Sequence, residues 1–242
     1  MGVAEGKIKW AAKLSHVREV SLLGTADLAY WADRLQGQGL APDARDGKAQ
    51  VLIVAADARF WGVRFREMSV SVLAREDLGE TVRKGAYLLH AFNSSRFFAF
   101  CERRLFSTPY SHADVRACMD APASIRVRKS GRRVFRAEMA AGRKPARTAE
   151  GGWAGPVFLP KRDGAAAHAV GNGRLFFAWI QGQTETYPFL EGKDSVTIAP
   201  GPADGALRSV IDSQFVGLEW SVRRNATHAK SKTYDRCWRF AP

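Results

Sequence analysis

Hydrophobic residues recur along the chain with two different periods, and the helical period appears in two places. Leu28, Trp31, Ala32 and Leu35 have the three- and four-residue spacing of one helix face, so the segment Ala26–Leu35 is predicted to be an amphipathic helix. A second set with this spacing follows the capping sequence Asn93-Ser94-Ser95 and predicts a short helix near Ser95–Leu105 that ends before a proline. The helices are therefore few and short.

The remaining elements are predicted to be mostly strands. Met68, Val70 and Val72 alternate with serines, which places one face of this segment in the core and the other in solvent or in a cavity. Asp77 to Gly85 and Ala140–Gly155 are predicted to be loops. Further strands are predicted at Ala49–Ala56, Phe60–Phe65, Ala86–Phe92, Ala113–Met119, Ile125–Arg128, Val134–Met139, Ala167–Val170, Arg174–Ile180, Ser195–Ile198 and Val216–Val222, with a tight hairpin at Asn172-Gly173.

Composition favours one globular unit over residues 1–242, since 46% of the 242 residues are hydrophobic. The three cysteines have unrelated spacings, so neither a disulfide framework nor a zinc cluster is expected. The amino-terminal segment has basic residues where a signal peptide needs an apolar run, and no apolar run is long enough to cross a bilayer. The expected location is the cytoplasm, with no membrane as partner.

The formal net charge of +13 raises the question of an anionic partner. Residues 126–147 contain nine basic side chains and one acidic one, and residues 223–239 contain six and one. A solvated surface explains such segments without any partner. A polyanion- or nucleic-acid-binding module is kept as the alternative, although no zinc finger, RNP or helix-turn-helix pattern accompanies the charge and nucleic acid is not the expected partner.

The motifs of several enzyme classes are absent from the sequence. There is no Walker A loop, G-x-S-x-G elbow or H-E-x-x-H sequence, and Gly171-Asn172-Gly173 is typical of a hairpin rather than a dinucleotide loop. The five histidines are scattered and lack ligand spacing, so they are interpreted as structural. Neither a metal nor a cofactor is expected.

One ordered set of short motifs is informative. The motifs are, in order, Arg18-Glu19, the helix Ala26–Leu35, Gly39-Leu40-Ala41-Pro42, Phe65-Arg66-Glu67, Gly85-Ala86-Tyr87 and Arg103-Arg104-Leu105-Phe106-Ser107-Thr108-Pro109-Tyr110-Ser111. Their order and spacing resemble those of the acetoacetate decarboxylase-like superfamily over residues 17–120, less than half of the chain. The resemblance implies an α+β fold that is mostly antiparallel β, with a partly closed barrel and a few peripheral helices.

The resemblance also implies ligand-binding candidates. The family's pocket arginine falls on Arg18, its aromatic-x-Glu carboxylate on Glu67, and its helix arginine on Arg103. A second pocket glutamate falls on Leu52. The lysine that forms the Schiff base falls on Tyr110 and the adjacent lysine on Ser111.

The loss of the lysine excludes the family's own chemistry at this position, because a phenol cannot form a Schiff base. Lys84, the nearest preceding lysine, is the candidate to replace the missing amine, but its side chain would have to reach the site from a different strand position by coincidence. We therefore expect a pocket protein for a small anionic, carboxylate-bearing metabolite and not an acetoacetate decarboxylase. The sequence leaves open binding alone, lyase or isomerase chemistry without a Schiff base, an interaction protein with a vestigial pocket, and the oligomeric state, a homo-oligomer included.

Overall fold

A computed structural model describes residues 5–161, 173–199, 205–237 and 239–240. The described residues form fifteen strands, three α-helices and one π-helical turn. The helices are α1 Leu28–Gln36, α2 Arg96–Cys101 and α3 Gly205–Asp212, and the π-helical turn Glu102–Phe106 continues α2. The strands are β1 Glu5–Gly6, β2 Trp10–Ala26, β3 Ala41–Pro42, β4 Ala49–Phe60, β5 Val63–Asp77, β6 Val82–Asn93, β7 Tyr110–His112, β8 Asp114–Cys118, β9 Ser124–Lys129, β10 Arg132–Glu138, β11 Arg147–Leu159, β12 Arg174–Pro188, β13 Ser195–Ile198, β14 Val216–Asp235 and β15 Arg239–Phe240.

The large sheet has the strand order β3-β5-β4-β2-β14-β12-β11-β6-β7, and an additional pairing of β5 with β6 closes seven of its strands into a ring. The pairs are antiparallel except β11–β6 and β6–β7. A second sheet has the order β13-β10-β9-β8. The predicted fold class, mostly antiparallel β with few helices, is therefore confirmed, and its partly closed barrel corresponds to this ring.

Two neighbouring rows of side chains distinguish the two faces of the ring. Val20, Ala55, Met68 and Phe92 are cross-strand partners, all buried in the main core. We call this side the core face. The second sheet, α1 and α3 contribute to the same core through Ile125, Val127, Phe135, Trp31, Leu35, Leu207 and Val210.

The adjacent row lies on the opposite face, since successive side chains of a strand alternate. It consists of Glu19, Ala56, Glu67 and Asn93, which are again cross-strand partners. We call this side the polar face. It brings two carboxylates from separate strands, those of Glu19 and Glu67, onto one surface.

Both predicted helices are confirmed, and their starts have local causes. Asp27 caps α1 by accepting a 2.6 Å hydrogen bond from the Tyr30 backbone N–H. Ser95 caps α2 in the same way, through a 3.3 Å bond from the Phe98 N–H. The π-helical turn that extends α2 is not predicted by the residue spacing, and Ser107 ends it with a left-handed φ of 59°.

Three sequence-based boundaries are wrong because strand pairing extends further than local pattern shows. The predicted strand Phe60–Phe65 is divided between the end of β4 and the start of β5 by a turn at Trp61 and Gly62, whose φ angles are 47° and 79°. The predicted loop Asp77 to Gly85 is mostly strand, because β5 and β6 pair as far as Asp77 and Val82.

The predicted loop Ala140–Gly155 is also wrong in its second half. Strand β11 begins at Arg147 and pairs with β12 along its whole length, so backbone hydrogen bonds compensate for its Gly-rich composition. The long strand β2 was not predicted at all, and it supplies Glu19 to the polar face. The predicted strand Ala167–Val170 and the Asn172 position of its hairpin lie outside the described residues.

Candidate functional site

Glu67 and Tyr110 meet on the polar face because their strands flank β6. Glu67 pairs with Asn93 on one side of β6, and Tyr110 pairs with Ala91 on the other. The Tyr110 hydroxyl donates a 3.2 Å hydrogen bond to Glu67 Oε2. Two of the sequence-predicted site residues are thus in direct contact.

Desolvation has a strong effect on both groups. Burial raises the pKa of Glu67, and the Glu102 carboxylate raises it further, against the opposing influences of Lys230, His228 and the Tyr110 hydrogen bond. Burial, followed by the Glu67 and Glu102 charges, also raises the pKa of Tyr110 well above its ordinary value. Both side chains nevertheless keep part of their surface accessible. Groups that are both accessible and desolvated are typical of a concave site.

Lys230 of β14 approaches Tyr110 from across the sheet. Its Nζ lies 4.5 Å from the Phe176 ring centroid, 4.6 Å from that of Phe106 and 5.8 Å from that of Tyr110. The amine is ion-paired with Glu102 of the π-helical turn, and both side chains are less than one-fifth exposed. The sequence prediction missed this amine.

Glu102 is held in place from the other side by Thr108. The Thr108 hydroxyl lies 2.8 Å from Glu102 Oε2 and 2.8 Å from the Glu102 carbonyl oxygen. Thr108 itself is buried. The π-helical turn is therefore tied back on itself so that its carboxylate faces Lys230.

Glu19 forms a second ionic group on the polar face. Its side chain is only 3% exposed, accepts a hydrogen bond from Arg223, and lies 3.0 Å from His228 Nε2. Arg223 also donates a 2.9 Å hydrogen bond to the Thr184 hydroxyl. Burial opposes ionisation of Glu19, but His228 and then Arg223 outweigh it and lower the pKa of the carboxyl group.

The two ionic groups form one site. His228 and Lys230 are two residues apart on β14, and the charges of both act on Glu67. We call the set consisting of Glu19, Glu67, Glu102, Tyr110, Arg223, His228 and Lys230 the charged cluster. It combines the Glu67 carboxyl group with its raised pKa, the Tyr110 phenol and the Lys230 amine, which is surrounded by aromatic rings. These groups are suited to hydrogen bonding with a small anion and to proton exchange.

The other predicted site residues lie elsewhere. Arg18 is on the core face beside Glu19, where it pairs with Asp120, so it does not lie with Glu67 and Tyr110, the candidates with which the resemblance groups it. Ser111 also lies on the core side of its strand and is 2.8 Å from His90 Nε2. In both cases an adjacent residue occupies the polar face, because neighbouring strand positions point in opposite directions.

Arg103, Leu52 and Lys84 have three different surroundings. Arg103 lines an open cleft next to the π-helical turn. Leu52 is on the polar face, four residues from Ala56, so a carboxylate is absent there and Glu19 supplies one from the neighbouring strand. Lys84 is largely exposed and pairs with Asp43 at 3.0 Å, so it does not replace the missing amine.

Two cluster residues that were not predicted, His228 and Lys230, are indicated by a sequence pattern. Ala226, His228 and Lys230 alternate with other residues, and strand periodicity alone places them on one face. The sequence interpretation extended the last strand only to Val222 and therefore did not use this alternation. Glu102 had no such signal, because its orientation depends on the π-helical turn.

Many cations of the two basic segments are neutralised within the fold. Their carboxylate partners are Glu138 for Arg126 and Arg136, Asp194 for Arg143, Glu19 for Arg223, Asp120 and Glu185 for Arg224, Glu102 for Lys230, and Glu76 for Arg236. A side chain in such a pair is less available to a phosphate backbone. This arrangement does not favour the polyanion-binding alternative.

Within the described part of the chain, histidine, cysteine, aspartate and glutamate side chains form no group of three or more that would hold a metal ion. No helix in the described ranges has both the length and the apolar character needed to cross a bilayer.

Comparison with known proteins was informative at the level of structure. No protein-family model matches the chain, and no curated protein matches it in sequence. An acetoacetate decarboxylase-like enzyme from Sphingomonas wittichii RW1 is similar in structure, with a TM-score of 0.55 and 12% identity over 96% of this chain and 100% of that one. The acetoacetate decarboxylase from Legionella pneumophila has a TM-score of 0.56 and 12% identity over 97% and 91%.

A third similar structure is the enduracididine biosynthesis enzyme MppR complexed with pyruvate. Its TM-score is 0.57 at 14% identity, covering 96% of each chain. The chain therefore has the fold of the acetoacetate decarboxylase-like superfamily. The predicted resemblance is confirmed at the level of fold.

Proposed function

We propose that the charged cluster binds a small carboxylate-bearing metabolite and exchanges a proton with it. The observation that carries this proposal is the 3.2 Å hydrogen bond between Tyr110 and Glu67, with the Lys230 amine 5.8 Å from the centroid of the Tyr110 ring. When protonated, Glu67 donates a hydrogen bond to a ligand carboxylate, and Lys230 contributes positive charge. The pyruvate complex of MppR, a protein of the same fold, supports a small oxo acid as the ligand class.

The proton-exchange part of the proposal depends on Glu67. A carboxyl group whose pKa is raised above its ordinary value is suited to act as a general acid or base. Tyr110 orients the carboxyl through its hydroxyl. Lyase or isomerase chemistry without a covalent intermediate is thus the enzymatic form of the proposal.

Schiff-base chemistry is not part of this proposal. Tyr110 stands where the resemblance places the lysine, and Lys230 is ion-paired with Glu102. An ammonium group in an ion pair has no electron pair with which to attack a carbonyl carbon. Incubation with pyruvate or acetoacetate and borohydride is therefore expected to leave the intact mass unchanged.

Ligand-induced thermal shift tests the proposal, because a ligand that binds the folded state raises its melting temperature. Acetate, pyruvate and acetoacetate are the probes, with acetone as the uncharged comparison. We expect a shift for at least one carboxylate in the wild type, and its loss in Glu67→Leu, which removes the hydrogen-bond donor, and in Lys230→Met. Lys232→Met is the matched control, because Lys232 is exposed two residues along the same strand.

The variant Arg18→Ala tests whether the ligand binds at the charged cluster or at a site that includes Arg18, as the resemblance implies. We expect this variant to bind as the wild type does, since Arg18 lies on the opposite face. Equal shifts in Glu67→Leu, Lys230→Met and Lys232→Met would reject the charged cluster as the site. A borohydride-trapped adduct on Lys230 would show instead that the cluster performs covalent chemistry.

A further inference from the structure

An open cleft of about 580 Å³ lies between the π-helical turn and the end of β11. Among the described residues, its lining includes three cationic side chains, those of Arg103, Arg104 and Lys161, and no acidic one. Ser107, Thr108, Pro109 and Pro160 are the other described residues of the lining. We call this the basic cleft.

The two arginines of the basic cleft have no ion-pair partner among the described residues, unlike Arg223, Arg236 and Arg143 elsewhere in the fold. The nearest acidic residue in sequence, Glu102, is already committed to Lys230 and Thr108. The guanidinium groups of Arg103 and Arg104 therefore lie at a concave surface, while the Glu102 carboxylate contacts Lys230 and Thr108.

Backbone geometry at the same place is unusual. The two arginines lie within the π-helical turn, and π-helical turns occur frequently at functional sites. Ser107, which lines the cleft, has a left-handed φ of 59° that costs conformational energy for a residue with a side chain. Its hydroxyl accepts a 2.6 Å hydrogen bond from Arg174, which brings another guanidinium group to the edge of the cleft.

We propose that the basic cleft is a binding site for a phosphoryl group, as free phosphate or as a phosphate monoester. Guanidinium groups donate paired hydrogen bonds that match phosphate oxygens, and several cations together suit a dianion better than a single carboxylate. The site differs from the charged cluster, although Thr108 and Pro109 lead directly from the cleft to Tyr110. It does not depend on carboxylate binding at the cluster.

Isothermal titration with inorganic phosphate, at ionic strength held constant with sodium chloride, tests this inference. We expect saturable binding to one site in the wild type and a loss of at least about tenfold in affinity in the double variant Arg103→Ala/Arg104→Ala, since hydrogen bonds to charged groups are involved. The matched control is Arg132→Ala/Arg133→Ala, which removes two adjacent exposed arginines from the β9–β10 hairpin.

Both double variants change exposed side chains, and thermal melts without phosphate verify that both remain folded. Titration with phenyl phosphate distinguishes the two sources of the group, because tighter binding than inorganic phosphate identifies an ester. Equal phosphate affinity in the wild type and both double variants would overturn the proposal. Reproduction of the heat signal by chloride alone would overturn it as well.

Discussion

Neutralising Glu19 is expected to destabilise the protein strongly, because the structure buries this carboxylate against the Arg223 guanidinium. Its side chain is 3% exposed, and that of Arg223 is 13% exposed. In Glu19→Gln the guanidinium of Arg223 keeps Thr184 as a partner but loses its counter-charge. Breaking a buried ion pair from one side costs about 3–5 kcal/mol.

The amide of Gln retains one acceptor oxygen, so we expect a loss near the lower end of that range, about 3 kcal/mol. For a chain of this size each kcal/mol lowers the melting temperature by about 2–4 °C, which gives a decrease of roughly 6–12 °C. Urea denaturation at pH 7, followed by tryptophan fluorescence, measures the free energy of unfolding directly.

The pH dependence of this effect has a definite sign. The pKa of Glu19 is lower in the folded state than its ordinary value of 4.5, so the carboxylate stabilises the fold above that pH. The stabilisation is lost as the pH falls through the lowered folded-state pKa. The difference between wild type and Glu19→Gln should therefore be largest at neutral pH and should shrink in acid.

A double-mutant cycle with Arg223→Met isolates the pair, and Glu138→Gln provides a more solvent-accessible comparison. Glu138 pairs with Arg126 and Arg136, whose side chains are 54% and 36% exposed, so its loss should cost less than about 1 kcal/mol. A cost for Glu19→Gln no larger than that for Glu138→Gln, or a cycle without coupling energy, would refute the reasoning.

Three further predictions concern other parts of the molecule. The pKa of Glu67 is raised above 4.5, so its contribution to stability falls as the pH rises between 4.5 and the folded-state value. Urea denaturation at pH 8 should then find Glu67→Gln at least as stable as the wild type, and a large loss would contradict this. Arg236→Met should cost about 3–5 kcal/mol, because the buried guanidinium binds Glu76 and two backbone carbonyls of the turn after α1, and chemical denaturation measures the loss. Fluorescence polarisation should find no useful affinity for duplex DNA at physiological salt, and tight, salt-resistant binding would restore the polyanion alternative.

The local elements of this fold could be predicted because their causes lie within a few residues. Asp27 and Ser95 cap the helices that follow them, and the helix spacing of apolar residues is visible in the sequence itself. The β9–β10 hairpin follows from Ser130-Gly131, where both residues adopt positive φ. The Glu67 and Tyr110 positions were found through ordered motifs, and the structure brings them into contact.

Tertiary structure alone decided which side chains share a face. Arg18 and Glu19 are neighbours in sequence, so alternation along the strand allows only one of them on the polar face. The register of β2 against β4 places Glu19 there. Lys230 and Glu102 are 128 residues apart and meet only because the ring closes and the π-helical turn rotates its carboxylate inward. Residue type and local spacing carry no information about such long-range pairing. The sequence by itself therefore determined both predicted helices, most of the strands and two site residues, while the closed sheet determined the cluster.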